Sequence, residues 1–136
     1  MRLIKDAHGT EVAMILDTSD YTGHKEKMFF SNYEDTLQVG SLFFISGSKV
    51  VPHKHLPIEA GGSPMEIILV LSGKATASFF NDDGKLIEQT VVVTGDLLIQ
   101  KAGGHGFEFT GSDATFLEIK RGPYRGRDFD KEELEQ

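Results

Sequence analysis

Past residue 36 the apolar residues fall in short runs of four to nine, rich in Val, Ile, Leu and Phe and broken by glycine-bearing turns. Runs of this length with two-residue alternation read as strands, and the chain shows no sustained apolar stripe at helical spacing. The expected strands are 37–45, 49–53, 65–71, 75–80, 86–93, 96–100, 106–110 and 114–120. Asn81-Asp82-Asp83-Gly84 is a four-residue hairpin signal, and Gly73 and Gly95 punctuate strand ends in the same way. Many short strands at nearly even spacing predict an all-β sandwich or small barrel. Residues 12–16 read as an extra strand, and 17–27 is polar and turn-rich. Residues 130–136 form a charged end, either a last helical turn or disordered. With no repeat or linker in view, the expectation is one domain, 1–136, with a barrel core at 37–120, an N-terminal extension at 1–36 and a tail at 121–136.

Composition narrows the function classes. A chain of 136 residues with 39% hydrophobic and 26% charged residues can bury a sizeable core. A net charge of −7 and a pI near 5.1 argue against a nucleic-acid partner. There is no cysteine, hence no thiol nucleophile and no disulfide framework, which suits a reducing cytoplasm. No apolar stretch has the length of a signal peptide or a membrane span. The expectation is a cytoplasmic protein with a small-molecule ligand and neither nucleic acid nor membrane as partner. Neither a nucleophile elbow nor a phosphate-cradling glycine loop occurs.

The candidate chemistry lies in VVPHKHLPIEAGGSPMEIILVLSG, residues 50–73. On a strand, His53 and His55 point to one face about 6.6 Å apart along the chain, a spacing at which two imidazoles can share one ion. A surface loop carrying two solvated histidines gives the same spacing. Two glutamates follow. Glu59 lies in a Pro/Gly/Ser-rich loop with no strand to aim it, whereas Glu66 opens the run MEIILVL, apolar on both faces and therefore central. An ionised carboxylate buried without a partner costs several kcal/mol, so Glu66 needs one.

The series G-x5-H-x-H, a loop, then E-x6-G from Gly47 to Gly73 resembles the first motif of the cupin superfamily, small double-stranded β-helix barrels. The stretch from Gly95 to His105 resembles its second motif, although Gln100–His105 lacks the family's proline and Phe109 stands where asparagine is common. The resemblance covers residues 47 to about 110 and implies a double-stranded β-helix holding a metal through His53, His55, Glu66 and His105. Spacing from the histidines favours Glu59 as the fourth ligand; spacing to Gly73 and the burial argument favour Glu66. Residues 56–65 then become an insertion over the barrel mouth. The ligand set suits Fe, Mn, Ni, Cu or Zn and leaves open coordination positions. It implies a small metalloenzyme, of oxygenase or isomerase type, acting on a small polar metabolite. A non-catalytic ligand-binding or sensing module, or a metal-free barrel like the sugar-nucleotide epimerases, is the alternative. Gln100 and Lys101 are the polar side chains nearest His105 in sequence for orienting a ligand. The basic segment 120–127 reads as a solvated arm, with anion binding as its alternative. His8 and His24 read as surface residues, the phenylalanines mostly as core. A homodimer is expected, as such barrels frequently pair.

Overall fold

The computed structural model describes residues 1–57 and 64–135. Its elements in chain order are β1 (Arg2–Lys5), β2 (Glu11–Ile15), α1 (Thr18–Tyr21), β3 (Met28–Phe29), β4 (Leu37–Phe44), β5 (Lys49–His55) and β6 (Glu66–Ser72). There follow β7 (Lys74–Phe80), β8 (Leu86–Val93), β9 (Leu97–Gln100), β10 (Gly104–Glu108), β11 (Ala114–Arg121), α2 (Arg127–Asp130) and β12 (Lys131–Glu133). Two five-stranded antiparallel sheets carry the barrel, in the orders β12-β5-β10-β7-β8 and β3-β4-β11-β6-β9. Sequence neighbours such as β5 and β6 lie in different sheets, so the chain winds between them and closes a barrel. The strands β1 and β2 form a separate two-stranded sheet.

The facing sides of the two sheets bury Leu42, Ile68, Val70, Ala77, Phe109 and Phe116, the apolar half of each alternating strand. Phe44 stacks on Phe109 at 4.2 Å between ring centroids, and Phe116 meets both rings edge-on or tilted. This aromatic floor closes one end of the barrel interior beneath the histidines.

Strands β4, β8 and β11 follow the hydrophobic pattern closely. Three departures have local causes. The strand expected at 106–110 begins at Gly104, because Gly103 and Gly104 let this chain approach its neighbours closely. A Cβ on Gly104 would lie 2.7 Å from the carbonyl oxygen of His53. Strand β5 runs on to His55 because β12 pairs with its end, Lys131 opposite His55. Residues 130–136, read as a last helical turn or a disordered end, start at the last residue of α2 (Arg127–Asp130) and continue as that edge strand, Lys131–Glu133.

Both terminal segments are laced over the same end of the barrel. Gln38, 2% exposed, donates from Nε2 to the carbonyls of Asn32 at 2.8 Å and Asp35 at 3.1 Å, fixing the loop before β4. The amides of Gly122 and Tyr124 donate to Thr36 and Tyr33 of that loop at 2.9 Å. Leu56 N–H donates to Asp130 O, and Leu134 N–H to Pro52 O, each at 2.9 Å. No helix among the described residues is long and apolar enough to cross a membrane.

Gly103 has φ +69°, and a Cβ there would sit 2.1 Å from the carbonyl oxygen of Phe80. Gly103→Ala is expected to destabilise the protein by about 2 kcal/mol or more, through both backbone strain and displacement of β7. Chemical denaturation checks this; unchanged stability would show that β10 does not need the close approach.

Candidate metal centre

Strand pairing brings the histidines together. In the antiparallel β5–β10 pair, His105 lies directly opposite His53. His55 shares the face of His53 because it lies two residues on. The register then slips, with Phe107 opposite Val50, so that Val51 and Pro52 together face Gly106. This is a β-bulge, a position that tolerates a proline with no N–H to donate. It also turns the Val51 carbonyl inward, where it accepts a hydrogen bond from His53 Nδ1 at 2.8 Å. That bond commits Nδ1 as the donor and leaves Nε2 of His53 free. The three rings stand 4.8 to 5.7 Å apart between centroids, and their nearest ligating nitrogens lie within 4.8 Å of one another.

Glu66 reaches the same point from the opposite sheet. It opens β6, is 2% exposed, and places Oε2 3.0 Å from His55 Nε2 and 3.3 Å from His105 Nε2. Its partner across the ladder in β11 is Lys120, and Glu118, on the same face of β11, hydrogen-bonds to it side chain to side chain. Asp130, at the end of α2, lies 3.6 Å from His55 Nδ1 and accepts from Lys120 Nζ at 2.8 Å.

Burial and charge divide these groups into distinct protonation states. Burial, reinforced by the neighbouring His105, pushes His53 down to about 3, and burial brings His105 down to about 4, so both rings are neutral at pH 7. Burial also opposes charge on His55, but the contacts with Asp130 and Glu66 outweigh it and hold His55 up at about 9. Glu66 shows the converse: burial would raise it, yet its hydrogen bond with Glu118, its close contact with His55 and the nearby imidazoles keep it below the usual carboxylate range. Glu118 takes the proton of the carboxyl pair. Burial and the adjacent Glu66 hold it well above that range.

The four residues expected as ligands from the sequence thus lie around one point. The described histidine group suited to a metal comprises His53, His55 and His105, with Glu66 against two of its three members. Glu59 lies outside the described residues. Gln100 and Lys101 do not line the cavity: the Gln100 amide donates to the Ala102 carbonyl, and Lys101 is exposed. His8 and His24 are exposed, as expected. The basic segment is not simply a solvated arm, because Lys120 and Arg127 line the cavity wall. Glu118 and Asp130 were missed. Glu118 was within reach, since alternation along β11 puts it on the buried face of Ala114 and Phe116.

A cavity of about 410 Å³ opens above the histidines, between a floor of Phe107 and Phe116 and a mouth with Tyr33, Tyr124 and several cations. The fit of this donor set to a metal can be tested on its unsatisfied atoms. His55 Nε2 and Glu66 Oε2 are both fully buried and neither makes a well-directed hydrogen bond, though they face each other at 3.0 Å. Two ligands on one ion at about 2.0–2.1 Å stand roughly 2.9 Å apart at a right angle and roughly 3.3 Å apart at a tetrahedral one. The separations of Glu66 Oε2 from the two imidazoles match those edges. Imidazole and carboxylate donors without thiolate suit a divalent transition ion. This histidine group can therefore hold a metal.

The fold and site define a class: the chain has the cupin fold, the double-stranded β-helix. Comparison with solved structures shows it directly. An uncharacterized conserved protein with a double-stranded β-helix domain from Klebsiella pneumoniae aligns with TM-score 0.64 and 18% identity, covering 91% of this chain and 99% of that one. CapF, solved with the inhibitor 3-isopropenyl-tropolone, aligns with TM-score 0.65 and 21% identity over 81% of this chain and 32% of its own. An oxalate decarboxylase aligns with TM-score 0.56 and 24% identity over 73% of this chain and 24% of its own. The chain thus spans about a third and a quarter of the lengths of the last two. No protein-family model matches the sequence, and no curated protein matches it.

The buried neutral histidines make a pH dependence follow. From about pH 6 down to about pH 4 the unfolded chain binds protons at His53 and His105 that the native site refuses, which outweighs the opposing proton that native Glu118 holds, so stability falls as pH falls. The melting temperature of metal-free protein is expected to drop steadily across that window. A flat profile would show that these rings protonate in the native state.

Proposed function

We propose that this protein is a metal-dependent cupin enzyme, of oxygenase or isomerase type, acting on a small polar metabolite at a centre formed by His53, His55, His105 and Glu66. The observation that carries this reading is the convergence of buried, unsatisfied His55 Nε2 and Glu66 Oε2 beside two neutral imidazoles at the bottom of a ligand-sized cavity. A bound divalent ion would supply Lewis-acid polarisation of substrate oxygens or, if iron, activation of dioxygen.

The chain's own groups account for the remaining needs of catalysis. Phe107 and Phe116 exclude water below the centre. Glu118 keeps a proton beside Glu66 and lines the cavity, which makes it the acid–base candidate for a bound substrate. Asp130 orients the His55 ring through Nδ1 and holds Lys120 at the wall. Lys120 sits 5.3 Å over the Tyr124 ring, placed to meet a substrate carboxylate. An acidic substrate also accords with the oxalate decarboxylase that shares the fold. A proton-holding carboxyl in the cavity favours an enzyme over a plain binding module.

We further propose a homodimer, supported by exposed apolar side chains on adjacent sheet edges, Ile87 and Val91 on β8 and Leu97 and Ile99 on β9. Light scattering at micromolar concentration should then give twice the chain mass of 15.0 kDa, and a monomer mass would refute it. Elemental mass spectrometry of protein purified without a histidine tag tests the metal. Near-stoichiometric metal is expected, with affinity falling about tenfold to a hundredfold or more in His53→Ala, His105→Ala and Glu66→Gln, and unchanged in Glu59→Gln. Retention in Glu66→Gln with loss in Glu59→Gln would move the fourth ligand to the loop. A parent protein that neither contains nor takes up metal would refute the metalloenzyme.

A further inference from the structure

The metal centre makes no use of the cations at the cavity mouth. Lys27, Arg127 and Lys131 line the mouth and also line a second, shallower cavity of about 660 Å³, which shares His53, Phe44 and Val50 with the first. Lys25 and Lys49 add to the wall of that second cavity. Five of the chain's 14 basic residues therefore border one groove, in a chain of net charge −7. Among the described residues a single carboxylate, Glu133, borders the groove with them, and it is paired with Arg127. Lys25, Lys27 and Lys49 form no ion pair among the described residues.

Such a grouping costs energy in the free protein. Lys131 is half-buried, with Lys27, Arg127 and Lys120 as cationic neighbours and only Asp130 opposing them. Like charges crowded beside a low-dielectric wall repel one another, and an anion placed between them removes that cost. The cations also come from remote parts of the sequence. Residues 25 and 27 precede β3, Lys49 begins β5, and residues 127 and 131 follow the last barrel strand. The two added segments converge on one wall, immediately beside His53.

We propose that this groove is an anion subsite continuous with the metal cavity, so that the substrate is an elongated acid with two anionic ends. One end binds at the histidine–glutamate centre. The other, a phosphate or a second carboxylate, lies between Lys25, Lys27, Lys49 and Lys131, with the connecting stem against Phe44 and Val50. The assignment of the first end rests on the function proposed above, whereas anion binding in the groove does not need the metal.

The test titrates chelator-treated protein with inorganic phosphate and, separately, with acetate, by isothermal calorimetry at low ionic strength. Saturable binding of at least one anion is expected, and the tighter of the two identifies the terminal group. Binding should weaken about tenfold or more in Lys27→Gln/Lys131→Gln, as expected for loss of charge-assisted bonds. It should weaken similarly in Lys25→Gln/Lys49→Gln, whose exposed positions tolerate substitution, and persist in Glu66→Gln. Absence of saturable binding in the parent, or binding in either lysine double variant as tight as in the parent, overturns the subsite whether or not the parent holds metal. Phosphate or acetate binding by a parent protein that neither contains nor takes up metal would uphold the groove and refute the metal reading alone.

Discussion

A carboxylate carried into the interior by one sheet must be met by positive charge from the other. Glu66 enters from β6, while His55 and His105 come from β5 and β10 of the facing sheet. Leaving that carboxylate ionised and unpaired would cost several kcal/mol. In the metal-free protein a proton on His55 supplies the charge, held there by Glu66 and Asp130 against the effect of burial. A divalent ion would take that proton's place. A metal bound there would have to displace the proton on His55, so its affinity would depend on pH.

The architecture separates chemistry from recognition. The barrel strands supply the histidines, Glu66 and the aromatic floor. The segments outside the core supply the mouth: Tyr33 and Lys27 from before β4, and Tyr124, Arg127, Asp130 and Lys131 from after β11. Gln38 and the amides of Gly122 and Tyr124 tie these segments to each other. Asp130 belongs to both systems, since it contacts His55 on one side and Lys120 on the other. A change in the C-terminal segment is therefore felt at His55 as well as at the wall.

What the sequence revealed follows from what burial imposes on it. Strands announce themselves as short runs rich in apolar and β-branched residues bounded by turns, and β4, β6, β8 and β11 do so. The pattern is silent for β12, whose residues Lys131, Glu132 and Glu133 pair at a solvent-facing edge, and for the two-residue β3. Glu66 was found because an acid opening an apolar run needs a partner. The same argument applied along β11 leads from Phe116 to Glu118, one alternate position further on. Gln100 and Lys101 were misread because nearness to His105 in sequence says little about facing. On β9, Gln100 turns to the Ala102 carbonyl. The cationic groove was beyond the sequence, since nothing local indicates that residues near 25 and near 130 share a wall.

Solved structures with the same fold are only 18–24% identical to this chain in the three comparisons described. What assembles this group of side chains is strand register. A slip of one residue between β5 and β10 would send His53 and His55 to the opposite face and dismantle the centre. The register is held by features that carry no chemistry. The bulge at Val51–Pro52 takes up the extra residue, Gly106 leaves room for Pro52 against it, and Gly103 and Gly104 bring β10 against Phe80 and His53. The stretch Gln100–His105 has no proline, which the motif it resembles usually carries, and has Gly103 and Gly104 just before His105. That proline fixes a backbone path by restricting one dihedral. Here the path is fixed by contacts too close for any side chain, a different local solution to the same requirement that His105 lie opposite His53.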